Sequence, residues 1–224
     1  AGDLKGNLWK FDLTSTTASA WGVAAWGGTN TTPCTTTGCI PLFTASHSGV
    51  PQGITAAPTV KANDRGAGGM MVAFGTGRNI TEGDRTDTTS KQTIYSVLDN
   101  TVYKLVSGKV TIDTAVTPTT AGTGTSNLVE QTMVATSVTG AGASSGRTFW
   151  KMSQNPVNYT GASAKKGWYF TLPEPGERQL KPITFYDGSN NLEVLSQIPA
   201  SGGNSAEELC NPSPQQEKQF RTFL

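Results

Sequence analysis

Apolar residues in this 224-residue chain come only in short runs, and this restricts the fold more than any other feature. The runs at 70–74 and 93–98 are typical, since glycine or polar residues bound each of them. An amphipathic helix needs an apolar stripe over roughly ten or more residues, whereas a strand needs only about four to eight. The sequence therefore predicts an all-β fold built from antiparallel sheets.

The strands can be placed approximately from these runs. They are predicted at 8–13, 40–43, 54–60, 70–74, 93–98, 101–105, 109–112, 128–139, 147–152, 167–172, 182–186 and 192–198. In the first, Trp9, Phe11 and Leu13 alternate with Lys10 and Asp12, as in a half-buried strand whose aromatic residues face the core. A hairpin turn is predicted at 107–108, and residues 201–224 are predicted to form a loose polar tail.

Charge excludes several classes of partner. The chain has 17 Lys and Arg against 16 Asp and Glu, a net charge of +1, and its basic residues are not clustered. Nucleic acid and anionic membrane surfaces both require a basic face, so neither is a predicted partner. No apolar stretch approaches the ~18 residues of a membrane span, so the chain is not expected to cross a membrane.

The cysteines favour an oxidising compartment. Cys34 and Cys39 enclose a short Thr/Gly loop, a spacing that allows a local disulfide; two free thiols are the alternative. A zinc site needs about four ligands, and one histidine without a second close cysteine pair does not supply them. Disulfides persist outside the cytoplasm, so an extracytoplasmic protein is predicted. Cys210 remains without an assigned partner.

Residues that could support catalysis or bind a metal are better explained as surface features. His47 lies in Ala-Ser-His-Ser-Gly without a nucleophile-elbow pattern, so we expect it on a surface loop. Glu82, Asp84 and Asp87 share a Thr-rich stretch with Arg85, which predicts a solvated loop. Calcium loops alternate Asp and Asn, and this stretch does not. No catalytic site and no metal site is predicted.

Two tryptophans are the best candidates for contact with a partner. Trp21 and Trp26 lie in a Gly-rich loop, where core packing is less automatic than within a strand. We therefore predict them as exposed binding residues. Trp9, Trp150 and Trp168 lie within predicted strands and are expected to pack inside the protein. Glycine pairs at 75–77 and 140–142 lack phosphate-binding spacing and are predicted as turns.

The segment Ala1-Gly-Asp-Leu-Lys-Gly-Asn-Leu-Trp-Lys-Phe-Asp-Leu13 resembles part of the C-terminal β-propeller of the PilY/PilC family. These proteins are tip-associated adhesins and biogenesis factors of bacterial type IV pili. Further similar segments follow in the same order at 41–45, 52–58, 74–78, 167–172 and 183–198. The resemblance implies a partial or truncated β-propeller, with about three or four blades in residues 1–200. A β-sandwich is the alternative that the strand pattern leaves open.

The resemblance also implies a function. It suggests a non-catalytic adhesin or assembly module at the pilus tip, cell surface or outer membrane, which presents surface loops to host cells or abiotic surfaces. Minor pilins would be its protein partners. Calcium is implied for the intact protein, with its ligands upstream of Ala1 rather than in this chain. The alternatives are a fragment of a quinone-dependent propeller dehydrogenase, whose repeats resemble residues 6–12, and a scaffold for outer-membrane assembly.

The family pattern further suggests that the chain begins and ends inside the propeller. Sheet edges near Trp9 and Val194 are then expected to lack partners, or to pair with another copy or another chain. Such open edges would favour self-association.

Overall fold

The computed structural model describes residues 1–24, 33–34, 37–139, 142, 148–186, 189–200 and 217–224. These residues form twenty strands, a short 3-10 helix at Ala18–Ala20 and one short α-helix, α1 (Glu82–Thr86). The prediction of an all-β fold is confirmed. The strands are β1 (Asn7–Leu8), β2 (Phe11–Asp12), β3 (Gly22–Val23), β4 (Phe43–Thr44), β5 (Ser46–His47), β6 (Val50–Pro51), β7 (Thr59–Ala62), β8 (Met70–Gly75), β9 (Thr93–Asp99), β10 (Tyr103–Val106), β11 (Lys109–Ile112), β12 (Gly122–Thr123), β13 (Val129–Glu130), β14 (Met133–Ser137), β15 (Thr148–Met152), β16 (Gly167–Thr171), β17 (Arg178–Gln179), β18 (Thr184–Phe185), β19 (Leu192–Ile198) and β20 (Lys218–Phe223).

Three sheets contain most of these strands. The largest has the order β13-β16-β9-β8-β7 and is antiparallel except between β13 and β16. In the second, β19 is central, with β17 and β18 along one edge and β20 along the other. The third has the order β1-β4-β12. Four hairpins complete the fold: β2–β3, β5–β6, β10–β11 and β14–β15.

The five-stranded sheet lies between two hydrophobic cores. Val72 and Phe74 of β8 face the first core, whereas Ala73 faces the second. In β9, Tyr95 belongs to the first core and Ile94 to the second. A strand that is buried on both faces has apolar residues at successive positions, which explains the continuous runs in the sequence. The first core also contains Leu8, Leu42, Phe43, Ala45, Ile54, Val97, Ala121 and Leu128, and the second contains Phe170, Leu172, Ile183 and Val194.

Aromatic rings join the first core across two sheets. The Tyr95 ring centroid lies 5.2 Å from that of Phe43 and 5.3 Å from that of Phe74. Such pairs contribute about 0.5–1.5 kcal/mol each beyond the burial of their area. The Tyr95 hydroxyl donates a hydrogen bond to Gln52 Oε1 at 3.0 Å. Burial of this hydroxyl raises the pKa of Tyr95 to about 12.

Two hairpins turn through Ser-Gly pairs. Ser107 and Gly108 have φ values of 51° and 76°, and Ser48 and Gly49 have 50° and 80°. Two successive positive φ values define the type I′ turn, whose twist matches that of antiparallel strands. The predicted turn between β10 and β11 is confirmed.

The strand predicted at 8–13 is divided between β1 and β2, and two of the side chains expected inside point to solvent. Leu8 is buried opposite Phe43, whereas Phe11 and Leu13 are both more than half exposed. The expectation that Phe11 and Leu13 face the core is therefore wrong. The inward position after Leu8 is taken by Lys10, whose ammonium group pairs with the carboxylate of Asp99 at 2.6 Å.

The two expected open edges have partners. β20 pairs along the whole of β19, with Val194 opposite Thr222. The amide of Trp9 donates to the carbonyl of Ala1 at 2.7 Å. The predicted loose tail is thus wrong for Lys218–Phe223, because pairing with β19 orders that segment. Residues 201–216, including Cys210, lie outside the described residues, and the blade count and self-association stay predictions.

Candidate binding surface

The β2–β3 hairpin presents an apolar face to solvent. Phe11, Leu13 and Trp21 are 51%, 58% and 45% exposed. The strands pair antiparallel with Phe11 opposite Val23 and Asp12 opposite Gly22. Extending this register by one residue, just beyond the strand ends, puts Leu13 opposite Trp21. Alternate residues of a strand, and residues directly opposite across a pair, share a face. Phe11, Leu13 and Trp21 therefore lie together, and we call them the hairpin face.

Local hydrogen bonds order the loop that carries Trp21. The Asp12 carboxylate accepts bonds from the amide and the hydroxyl of Thr14, at 3.0 and 2.6 Å. The Trp21 indole N–H donates to the carbonyl of Ser15 at 2.7 Å. These bonds hold the ring in one orientation although nearly half of it is exposed. A contact role for Trp21 stays a prediction, and Trp26 lies outside the described residues.

A disulfide lies next to this hairpin. Cys34 and Cys39 are bonded, with Cα atoms 5.6 Å apart. Cys34 also exchanges two backbone hydrogen bonds with Val23 of β3, at 2.7 and 2.9 Å. The cross-linked loop is therefore attached directly to the strand that follows Trp21, and it supports the hairpin from one side.

A polar cleft of about 400 Å³ lies beside α1. Its lining includes His47, Arg78, Asp84, Lys91 and Arg178. His47, which was expected on a surface loop, instead lies in β5 and is partly buried. The cleft thus brings three cations and two carboxylates, those of Asp84 and Asp87, together from segments that are distant in sequence.

A single arginine fixes the wall of this polar cleft. Arg178 is only 4% exposed, and its guanidinium donates to four backbone carbonyls, those of Gly176, Arg78, Asp84 and Asp87. Three of these acceptors lie in or next to α1, about ninety to one hundred residues earlier in the chain. Because backbone carbonyls occupy its donors, Arg178 has a structural role. It links β17, in the sheet centred on β19, to the α1 segment between β8 and β9 of the five-stranded sheet. Sequence reasoning did not single it out.

Asp84 departs from the predicted solvated loop. Its residue is buried, and its carboxylate accepts from Arg78 Nε at 2.6 Å and from the amides of Thr81 and Ile80 at 2.9 and 3.1 Å. Burial raises the pKa of Asp84, but the hydrogen bonds from Thr81, Ile80 and Arg78 outweigh it and lower the pKa to about 2. The solvated-loop prediction is wrong here because Thr81 and Asp84 form a capping box for α1.

The capping box could have been recognised from the pattern Thr81-Glu-Gly-Asp84, which is a Ser/Thr-x-x-Asp/Glu motif. It also bears on metal binding. Both carboxylate oxygens of Asp84 already accept from protein donors, one of them the cationic Arg78 side chain, so Asp84 is a poor candidate for a calcium ligand. Across the described ranges, no group of three or more His, Cys, Asp or Glu side chains is arranged to hold a metal.

Comparison with known proteins agrees with the family resemblance noted for residues 1–13. The model of the PilY1 beta-propeller domain matches residues 1–142. The chain belongs to the PilY1 family. The type IV pilus biogenesis factor PilY1 from each of two strains of Pseudomonas aeruginosa is 34% identical over 181 residues, which covers 75% of this chain and 14% of the relative. A PilY1 homolog from Xylella fastidiosa is 36% identical over 99 residues, covering 44% of this chain and 6% of the relative.

The family match establishes the architecture. The antiparallel sheets are those of a partial β-propeller, and the β-sandwich alternative is set aside. The chain spans only 14% of the length of the Pseudomonas relatives. No solved structure matches this chain. In the part of the chain that the structure describes, no helix has the length and apolarity to cross a membrane.

Proposed function

We propose that this PilY1-family chain is a non-catalytic, extracytoplasmic module of the type IV pilus that acts by binding. The family and the pilus-biogenesis names of its relatives support the pilus role. They also favour this function over the quinone-dependent dehydrogenase and the outer-membrane scaffold. The module would present loops from a rigid β framework, a common arrangement in binding proteins.

The hairpin face is the observation that carries the proposal. Phe11, Leu13 and Trp21 are large apolar side chains that the fold leaves about half exposed. Clustered exposed apolar residues mark interaction sites, and aromatic residues dominate the energy of many interfaces. The partner would be either a surface to which the bacterium attaches or a minor pilin at the tip.

The test uses the full-length protein in its own bacterium. A Leu13→Ser/Trp21→Ser variant removes two side chains of the hairpin face. A matched control, Leu105→Ser/Val110→Ser, removes two apolar residues that are still more exposed, at 75% and 55%, but lie on the β10–β11 hairpin. Attached cells on glass and on epithelial cells are counted, and pili per cell are counted by electron microscopy.

If the hairpin face contacts the attachment surface, attachment falls at least about tenfold while pilus number is unchanged, because one aromatic contact is commonly worth ~2 kcal/mol. If the hairpin face contacts a minor pilin, pilus number falls as well. The control should change neither quantity. Wild-type attachment and piliation in the hairpin-face variant would overturn the proposal.

A further inference from the structure

A second cleft, of about 420 Å³, lies between the five-stranded sheet and the sheet centred on β19. We propose that this cleft binds a neutral saccharide. Its volume is within the ~300–1,000 Å³ that is usual for small-molecule sites. We call it the aromatic cleft, because Tyr159, Trp168 and Phe185 line it, each partly buried.

The register of the five-stranded sheet creates the hollow. Ser96 lies directly between Ala73 of β8 and Trp168 of β16, and all three line the aromatic cleft. Residues opposite each other across adjacent strands share a face. Two small side chains beside an indole therefore leave a depression with a flat aromatic wall. Trp168 is held in place by stacking on Phe170, with ring centroids 6.3 Å apart and planes 15° apart.

Several polar groups in the aromatic cleft are free to bond a ligand. Ser96 is only 4% exposed, yet its hydroxyl has no hydrogen-bond partner among the described residues. The same holds, within the described ranges, for the Trp168 indole N–H, the Tyr159 hydroxyl and the carboxamide of Asn191. Of these four residues only Ser96 is buried; Trp168 and Tyr159 are partly buried and Asn191 is exposed. A group of neutral donors and acceptors of this kind suits a ligand that is rich in hydroxyl groups.

Each charged side chain in the aromatic cleft has a neighbour within it. Lys61 donates to Asn190 Oδ1 and lies 5.1 Å from the centre of the Phe185 ring. Asp64 and Arg65 pair with each other at 3.7 Å. Each of these three charged side chains thus has a protein partner, and the groups without one in the aromatic cleft are neutral. A neutral hexose or N-acetylhexosamine matches the site, since its C–H face can stack on an indole while its hydroxyls bond amide, hydroxyl and indole groups.

The test uses the purified 224-residue chain and four probes: the methyl glycosides of glucose, galactose, mannose and N-acetylglucosamine. Binding is measured by saturation-transfer NMR and titration. At least one glycoside is expected to bind the wild type, with saturation strongest on its C–H face. Trp168→Ala should weaken binding at least about tenfold, because it removes the stacking wall. Ser96→Ala should weaken it about two- to tenfold, the usual contribution of one hydrogen bond.

The controls keep the outcome unambiguous. Trp168 also packs against the second core, so circular dichroism must show that Trp168→Ala folds; if it does not, Ser96→Ala and Tyr159→Phe decide. Trp21→Ala, on the hairpin face, should bind as the wild type does. Absence of binding by all four glycosides, or equal binding by the wild type and the cleft variants, would overturn the proposal. So would binding that Trp21→Ala abolishes. Because no pilus is present, failure here leaves the proposed pilus role untouched.

Discussion

Replacing Arg178 by methionine should test how the α1 region is attached to the sheets. Methionine is unbranched and apolar, so it keeps much of the packing of the arginine stem but has no donor. The substitution removes all four hydrogen bonds from the guanidinium, whose carbonyl partners belong to Gly176, Arg78, Asp84 and Asp87.

The four carbonyls do not contribute equally to the loss. Gly176 and Asp84 are buried residues, so their carbonyls would lose a donor without gaining water, at a cost of about 1–3 kcal/mol each. Arg78 is exposed and Asp87 partly exposed, so water can replace the guanidinium there. Burial lowers the pKa of Arg178, which shows that the charged form is disfavoured by desolvation. Methionine carries no charge, so it avoids this desolvation cost, and that gain offsets part of the free energy lost with the hydrogen bonds. We expect a net destabilisation of about 1–4 kcal/mol, a substantial share of the ~5–15 kcal/mol of an ordinary domain.

Urea unfolding followed by tryptophan fluorescence measures this loss. Arg85→Met is the matched control, because Arg85 is an exposed residue of α1 with no ion pair among the described residues. Its free energy of unfolding should stay within about 0.5 kcal/mol of the wild type. An Arg178→Met protein as stable as the control, or a control as unstable as Arg178→Met, would refute the anchoring role.

Three further predictions follow from the same structure. The pKa of Asp84 is lowered from 3.8 to about 2, so its contribution to stability should be complete above pH 4, disappear as the pH falls from 4 to 2, and be absent in Asp84→Asn, as acid unfolding curves would show. Gly75→Ala should destabilise the protein by about 1–3 kcal/mol in thermal melts, since the new Cβ would lie 2.4 Å from the side chain of Gln179; an unchanged melting temperature would contradict this close approach. Mass spectrometry of unreduced peptides should find Cys34 linked to Cys39, and reduction should loosen this loop more than it lowers global stability, because the closed loop is short.

The central strands could be predicted because their sequence and their environment agree. The runs at 70–74 and 93–98 lie in β8 and β9, which are buried by a core on each side. Short apolar runs between glycine or polar residues are the expected pattern for such strands. The Ser107-Gly108 turn could also be predicted, because its signal lies in adjacent residues. A turn with positive φ at two successive positions admits few residue types.

The orientation of the first strand could not be predicted with the same rule. Alternation divides the residues into two faces but does not say which face is inward, and a shift of one residue exchanges them. Here Leu8 pairs with Phe43 of β4, a residue 35 positions later, and this contact decides the choice. Phe11 and Leu13 were therefore assigned to the core although they lie on the hairpin face.

Long-range partners also explain why β20 and Arg178 were missed. The sequence Lys-Gln-Phe-Arg-Thr-Phe at 218–223 reads as polar, and it is a strand because β19 offers it a complete edge. Strand preference depends on such context more than on the residues themselves. Arg178 looks like an ordinary charged residue until the fold brings the carbonyls of Arg78 and Asp84 to its guanidinium. The capping box was also missed, but not for this reason, because its sequence pattern lies within the four residues 81–84 and needs no long-range partner.

Buried and exposed apolar residues have different roles in this chain. Both faces of β8 and β9 are covered by cores, so substitutions there act on folding first. The hairpin face contributes little to either core, because its side chains are about half exposed. Polar substitutions at Leu13 and Trp21 should therefore leave stability within roughly 0.5–1 kcal/mol of the wild type while removing the contact surface. Attachment and folding can thus be varied separately in this chain, and a loss of attachment in a stably folded Leu13→Ser/Trp21→Ser protein can be assigned to the contact itself.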